Sequence, residues 1–114
     1  MITGAHNLIY SRDAAADRAF FRDKLGFPHV EAHEGWLIFA LPPAEVGIHP
    51  TDGESTHELY LMCDDITATM TELTAKGVEF TGPPRDEGFG LLTGIRLPGG
   101  STLGIYQPRH LTAI

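Results

Sequence analysis

The sequence predicts an α+β fold in which two similar βαβββ units form curved mixed sheets around a cavity. Three observations carry this reading. An apolar run ending in aspartate and followed by a helical period occurs twice; each helical stretch stops at a glycine; and each glycine is followed by short β-rich runs separated by Pro and Gly. The chain of 114 residues is then a single domain, 1–114, with a first module over about 1–50, a polar linker over about 51–56 and a second module over about 57–114.

The first module opens with His6-Asn-Leu-Ile-Tyr-Ser-Arg-Asp13, an apolar run whose terminal Asp suits a helix N-cap. The periodicity predicts a helix over Ala14 to Leu25, with Ala16, Ala19, Phe20 and Leu25 on its apolar side and Gly26 as its left-handed stop. Strands are expected over His29 to Ala32, Trp36 to Leu41 and Glu45 to His49, with Glu34-Gly35 and Pro42-Pro43 as breaks. Thr51 to Thr56 is the linker. The second module repeats the plan with Glu58-Leu-Tyr-Leu-Met-Cys-Asp-Asp65, a helix over Ile66 to Lys76 and a stop at Gly77. Its strands are expected over Val78 to Thr81, Leu91 to Leu97 and Thr102 to Gln107, broken by Pro83-Pro84 and Pro98-Gly99-Gly100. The last strands of the two modules share wording, Val46-Gly47-Ile48-His49-Pro50 beside Leu103-Gly104-Ile105-Tyr106-Gln107-Pro108.

Composition narrows the partners. A formal charge of −7 repels phosphate backbones, and the eight Lys and Arg residues are scattered, so neither nucleic acid nor an anionic membrane is an expected partner. The single cysteine, Cys63, has no internal disulfide partner, and no signal-like segment opens the chain, which points to the cytoplasm. A small organic molecule and a second copy of the chain remain as expected partners.

Alternation along the strands assigns the cavity wall. In the first strand His6 and Tyr10 share a face with Leu8; in the second module the matching face carries Glu58, Tyr60 and Met62. If Val46, Ile48, Leu103 and Ile105 pack on the helices, then Gly47, His49, Gly104 and Tyr106 face the cavity. With Trp36 as a further aromatic wall, the candidate ligand-binding residues are His6, Tyr10, Trp36, His49, Glu58, Tyr60, Met62 and Tyr106. The register near His57 and Glu58 stays open, because both faces of that strand are apolar. Asp13, Asp64 and Asp65 read as helix caps, and His29, His33 and His110 as surface residues.

The run His6 to Asp13, Arg18-Ala-Phe-Phe-Arg-Asp-Lys-Leu-Gly-Phe27, Glu58 to Ile66 and Leu97-Pro-Gly-Gly-Ser-Thr-Leu-Gly-Ile-Tyr-Gln-Pro108 together resemble the vicinal oxygen chelate superfamily. That group includes glyoxalase I, extradiol dioxygenases, fosfomycin-resistance enzymes, methylmalonyl-CoA epimerases and bleomycin-resistance proteins. The resemblance implies paired βαβββ modules and commonly a dimer. In catalytic members it also implies a divalent metal held from the first and last strands of the modules. His6 matches the first ligand position and Glu58 the second, whereas the other two positions are Gly47 and Gly104, which have no side chain to offer. His49 lies two residues beyond Gly47, roughly 7 Å along a strand, too far for metal–ligand distances of about 2 Å unless the centre moves with it.

Two functional readings of different classes follow, and a third beside them. The leading one is a small-molecule binding protein of the glyoxalase and bleomycin-resistance kind, with its ligand in the sheet cavity and no metal required. The alternative is a lyase, isomerase or dioxygenase dependent on Zn, Fe, Ni or Mn, with His6, Glu58 and, more weakly, His49 as metal ligands. Against both ligand assignments stand plainer roles: a strand-end histidine bonded to backbone for His6, and a solvated edge carboxylate for Glu58. The third reading is a protein-interaction module with an exposed sheet.

Overall fold

The structure is a computed structural model that describes residues 6–114. Helix α1 spans Ala14–Asp23; strands β1, His29–His33, and β2, Trp36–Phe39, form an antiparallel hairpin. Strand β3 covers Tyr60–Met62, helix α2 Ile66–Ala75, and strands β4, β5 and β6 cover Arg85–Asp86, Gly90–Arg96 and Thr102–Pro108. The second module builds a four-stranded sheet in the order β3-β6-β5-β4, with β3 parallel to β6 and the remaining pairs antiparallel. This is the expected mixed α+β architecture.

Both helices begin and end as their sequences dictate. Asp13 and Asp65 accept hydrogen bonds from Ala16 N and Ala68 N, each at 3.0 Å, which satisfies amide groups that the first turn leaves without partners. Asp64 plays no such part; it is exposed ahead of the Asp65 cap. Gly26 and Gly77 adopt φ of 69° and 85°. After α2, Val78 N donates to Leu73 O at 3.1 Å and Gly77 N to Thr74 O at 2.9 Å, the paired bonds of a Schellman ending.

One core serves both modules. Phe20 and Phe21 from α1 pack with Ile66 and Leu73 from α2, with Val78, and with Ile95, Leu97, Leu103 and Ile105 from the sheet region. Alternation on β5 and β6 sends Ile95, Leu103 and Ile105 to this core, and Leu59, Leu61 and Cys63 border the same side. The opposite face, carrying Tyr60, Met62, Leu92, Gly94, Gly104 and Tyr106, is left to form a site.

Three expected strands take a different form. His6 to Ser11 makes no strand, and Leu8 and Tyr10 are exposed. Residues 45–49 are also irregular, with Val46 and Ile48 at 85% and 92% exposure, so they do not pack on a helix. A strand persists only when its N–H and C=O groups find a ladder, and among the described residues neither stretch has one. Pro42, Pro43 and Pro50 further deprive the second stretch of donors. Residues 78–81 contribute an isolated bridge, Phe80 to Ile95, flanked by Arg96 N to Glu79 O and Thr81 N to Gly94 O, both 2.9 Å. The edge strand is thus split at Gly82-Pro-Pro84, where Thr93 Oγ1 donates to Gly82 O at 2.7 Å, and it resumes as β4.

Candidate functional site

A cavity of about 550 Å³, within the range that holds small organic ligands, opens where the two module entrances meet the uncovered sheet face. One wall is the segment Asn7 to Tyr10 and the facing wall is His57 to Tyr60; the base comes from β5 and β6. Leu8 and Leu92 give it apolar surface, and Arg85 stands at the β4 edge.

The base is built from glycines that let neighbouring side chains lie flat. Gly94 and Gly104 face one another across β5 and β6, and Gly104 also faces Tyr60 across β6 and β3. A Cβ on Gly104 would run into the Tyr60 ring, and one on Gly94 would lie 2.6 Å from Thr102 Cγ2 and 2.9 Å from Thr81 Oγ1. The bare position in β6 is therefore the seat of the Tyr60 ring. The Tyr60 hydroxyl donates to Glu58 Oε2, and its ring meets the Tyr106 ring edge-on, centroids 5.9 Å apart. The hydrogen bond to Glu58, then burial, then the Glu58 charge push the Tyr60 phenol up to about 12.

The residues expected to bind ligand are only partly brought together. Tyr10, Glu58 and Tyr60 line the cavity. Met62 is half-buried beside Tyr106 on the same sheet face, and Tyr106 sits in an aromatic group with Phe89, ring centroids 5.7 Å apart, and His110, 6.0 Å apart. His110, expected as an isolated surface residue, has its Nε2 3.1 Å from the Tyr106 hydroxyl. Trp36 lies on the separate β1-β2 hairpin, beneath the Arg18 guanidinium at 4.8 Å, and outside the cavity lining. His49 lies in the exposed stretch after β2 and His6 is exposed outside any strand, so neither joins the lining.

Sequence reasoning passed over Arg85, Gly94 and Thr102. Arg85 follows two prolines and reads as loop, whereas the alternation of β5 and β6 places Gly94 and Thr102 on the cavity face once their pairing is known. Asp17 was also missed. This acidic residue of α1 is buried, and its Oδ1 accepts from Gly99 N at 2.7 Å, which ties the first module's helix to the β5-β6 turn; among the described residues its Oδ2 has no partner.

A metal centre of the kind the family motifs imply needs several donors converging on one point. Among the described residues no three His, Cys, Asp or Glu side chains group to hold an ion. At position 104 the space that a ligating side chain would enter is filled by the Tyr60 ring, and Glu58 is engaged by the Tyr60 hydroxyl. Gly47 and His49 belong to the stretch that leaves the fold after β2. The residues do not fit a four-ligand centre.

Paired modules around such a cavity define the glyoxalase class of fold. The sequence profile of the Glyoxalase/Bleomycin resistance protein/Dioxygenase superfamily matches residues 4–105, and the chain belongs to that superfamily. Among solved structures, it is similar to TnmS3, an antibiotic binding protein from Streptomyces sp. CB03234, with 25% identity, a TM-score of 0.65 and coverage of 95% of this chain and 98% of that one. A lactoylglutathione lyase from Agrobacterium tumefaciens shares the fold at 16% identity and TM-score 0.65, covering 92% of both chains. A superfamily member from Sphaerobacter thermophilus DSM 20745 does so at 20% identity and TM-score 0.61, covering 93% of this chain and 98% of that one. No curated protein shows significant similarity. No helix among the described residues is long and apolar enough to cross a membrane.

Proposed function

We propose that this chain is a small-molecule binding protein of the glyoxalase and bleomycin-resistance group, which holds an organic ligand in the sheet cavity without a metal ion. The observation that carries the proposal is the Tyr60 ring seated on Gly104, which turns a ligand position of the metal-dependent pattern into part of an aromatic surface. Cavity size, the leucine contacts and the polar groups of Glu58, Tyr60 and Arg85 suit a compound that is mainly apolar with a few oriented polar atoms. The likeness to an antibiotic binding protein supports the same reading.

Two further parts belong to the proposal. Exposed Leu8, Val46 and Ile48 give a second copy of the chain apolar surface to cover, and sedimentation at micromolar concentration should show a dimer; a monomer would contradict it. The free Cys63 thiol fits a reducing, cytoplasmic setting.

Thermal melting against a panel of aromatic and dicarbonyl compounds tests the central reading. A bound compound at a hundredfold excess over its Kd should stabilise the fold by about 3 kcal/mol, equally with and without chelator. Stabilisation that appears only after a divalent metal is added would overturn it.

A further inference from the structure

The cavity has one carboxylate with capacity to spare. Glu58 accepts the Tyr60 hydroxyl through Oε2, and among the described residues its Oε1 has no protein partner. The cation at the opposite edge is already engaged, because Arg85 Nε donates to Glu87 Oε1 at 2.9 Å. With Arg85 matched by Glu87, Glu58 gives the cavity a negative character, in a chain whose formal charge is −7. The base beside this carboxylate is low: a tyrosine ring lies on Gly104, and Thr81 and Thr102 flank Gly94. The Tyr106 ring meets Tyr60 edge-on from the same sheet face. A flat ring system can stack on such a surface, and a donor on its rim then reaches Glu58.

Resting on the metal-independent binding reading, we propose that Glu58 is the specificity-determining residue of the cavity. Its ligand class is a planar aromatic molecule bearing a cationic or strongly hydrogen-bond-donating group. Tyr60 positions the carboxylate and supplies the stacking face. A charge-assisted bond to a carboxylate discriminates more than a neutral one, so an anionic aromatic of equal size is disfavoured twice, by the missing donor and by repulsion.

Two tricyclic probes of similar size test this: proflavine, a planar cation, and an anthracene carboxylate, a planar anion. Their binding is followed by fluorescence at fixed ionic strength with chelator present. The unmodified protein should prefer proflavine by about tenfold or more, and Glu58→Gln should remove about tenfold of that preference while leaving the anion's affinity equal or higher. Tyr60→Phe keeps the stacking ring but removes the hydroxyl that positions the carboxylate, and should lower the preference for proflavine by less than Glu58→Gln does. Glu72→Gln on the exposed side of α2 should retain the full preference, which separates the cavity from general attraction to an acidic protein. Thermal melting establishes that each variant is folded. Equal binding of the two probes, or a preference that survives Glu58→Gln, overturns the charge selection and leaves the binding reading standing. Binding of neither probe to the folded protein, or binding only after zinc is added, overturns both.

Discussion

The seat of Tyr60 on Gly104 can be tested by adding one carbon. Gly104→Ala drives a Cβ against the edge of the Tyr60 ring, although the backbone there has no left-handed φ and accepts alanine. The ring is the element free to move, since Tyr60 is partly exposed. Swinging it away gives up the edge-on contact with Tyr106, worth about 0.5–1.5 kcal/mol, and the hydrogen bond to Glu58, worth about 0.5–1.5 kcal/mol net. Against this stands a gain of about 0.4–1 kcal/mol from the less flexible unfolded chain. The net expectation is a loss of about 1–2 kcal/mol, which lowers Tm by about 4–8 °C in a domain of this size. Gly47→Ala is the matched control. Its Cβ would meet only the His49 ring at 3.7 Å, ordinary contact, so the same substitution should be neutral or slightly stabilising. Differential scanning calorimetry on both variants, on Tyr60→Ala and on Gly104→Ala in a Tyr60→Ala background completes the cycle. If Gly104→Ala melts with the unmodified protein, or costs as much without the Tyr60 ring as with it, the assignment of this glycine is wrong.

Other consequences concern single groups. The hydrogen bond to Glu58, burial and the Glu58 charge push the Tyr60 phenol up to about 12. Its folded-state pKa lies above the ordinary tyrosine value near 10, so its share of stability is complete below that value and is lost as pH rises toward about 12. Ultraviolet titration should show this component shifting downward in Glu58→Gln and vanishing in Tyr60→Phe; an unchanged component in Glu58→Gln would refute the pairing. Asp17→Ala removes the acceptor for Gly99 N inside the core and should cost about 1–3 kcal/mol, whereas Asp17→Asn keeps an acceptor oxygen and should cost less; equal denaturant midpoints for the two would dissolve the proposed tie. Burial pushes the Cys63 thiol up, so thiol reagents should modify the folded protein more slowly than the unfolded chain, and more alkaline conditions should be needed; a fast reaction at neutral pH would contradict this.

The second module was legible because its local signals agree with its tertiary setting. Asp65 caps, Gly77 stops, and Leu103 and Ile105 alternate away from Gly104 and Tyr106, as the pairing of β6 between β3 and β5 requires. The fourth strand expected in the first module shows the reverse. Val46-Gly47-Ile48 matches Leu103-Gly104-Ile105 in wording, yet only the latter lies between two hydrogen-bonded neighbours, and pairing is a property of those neighbours. The site divides in the same way. Glu58 and Tyr60 could be placed on one face by alternation, but the reason for Gly104 could not be read. A glycine in a strand marks close approach by something, and only the pairing of β3 with β6 brings the Tyr60 ring there. Asp17 was hidden because a charged residue in a helix reads as exposed; it is buried because Gly99 has no side chain to keep the turn away.

Elemental analysis of the protein, purified without tag or chelator and combined with ligand-induced melting, bears most directly on the account. Aromatic occupation of the site predicts divalent metal far below one equivalent, together with ligand stabilisation that chelator leaves untouched. One tightly held ion per chain, lost together with ligand binding in His6→Ala, would contradict it.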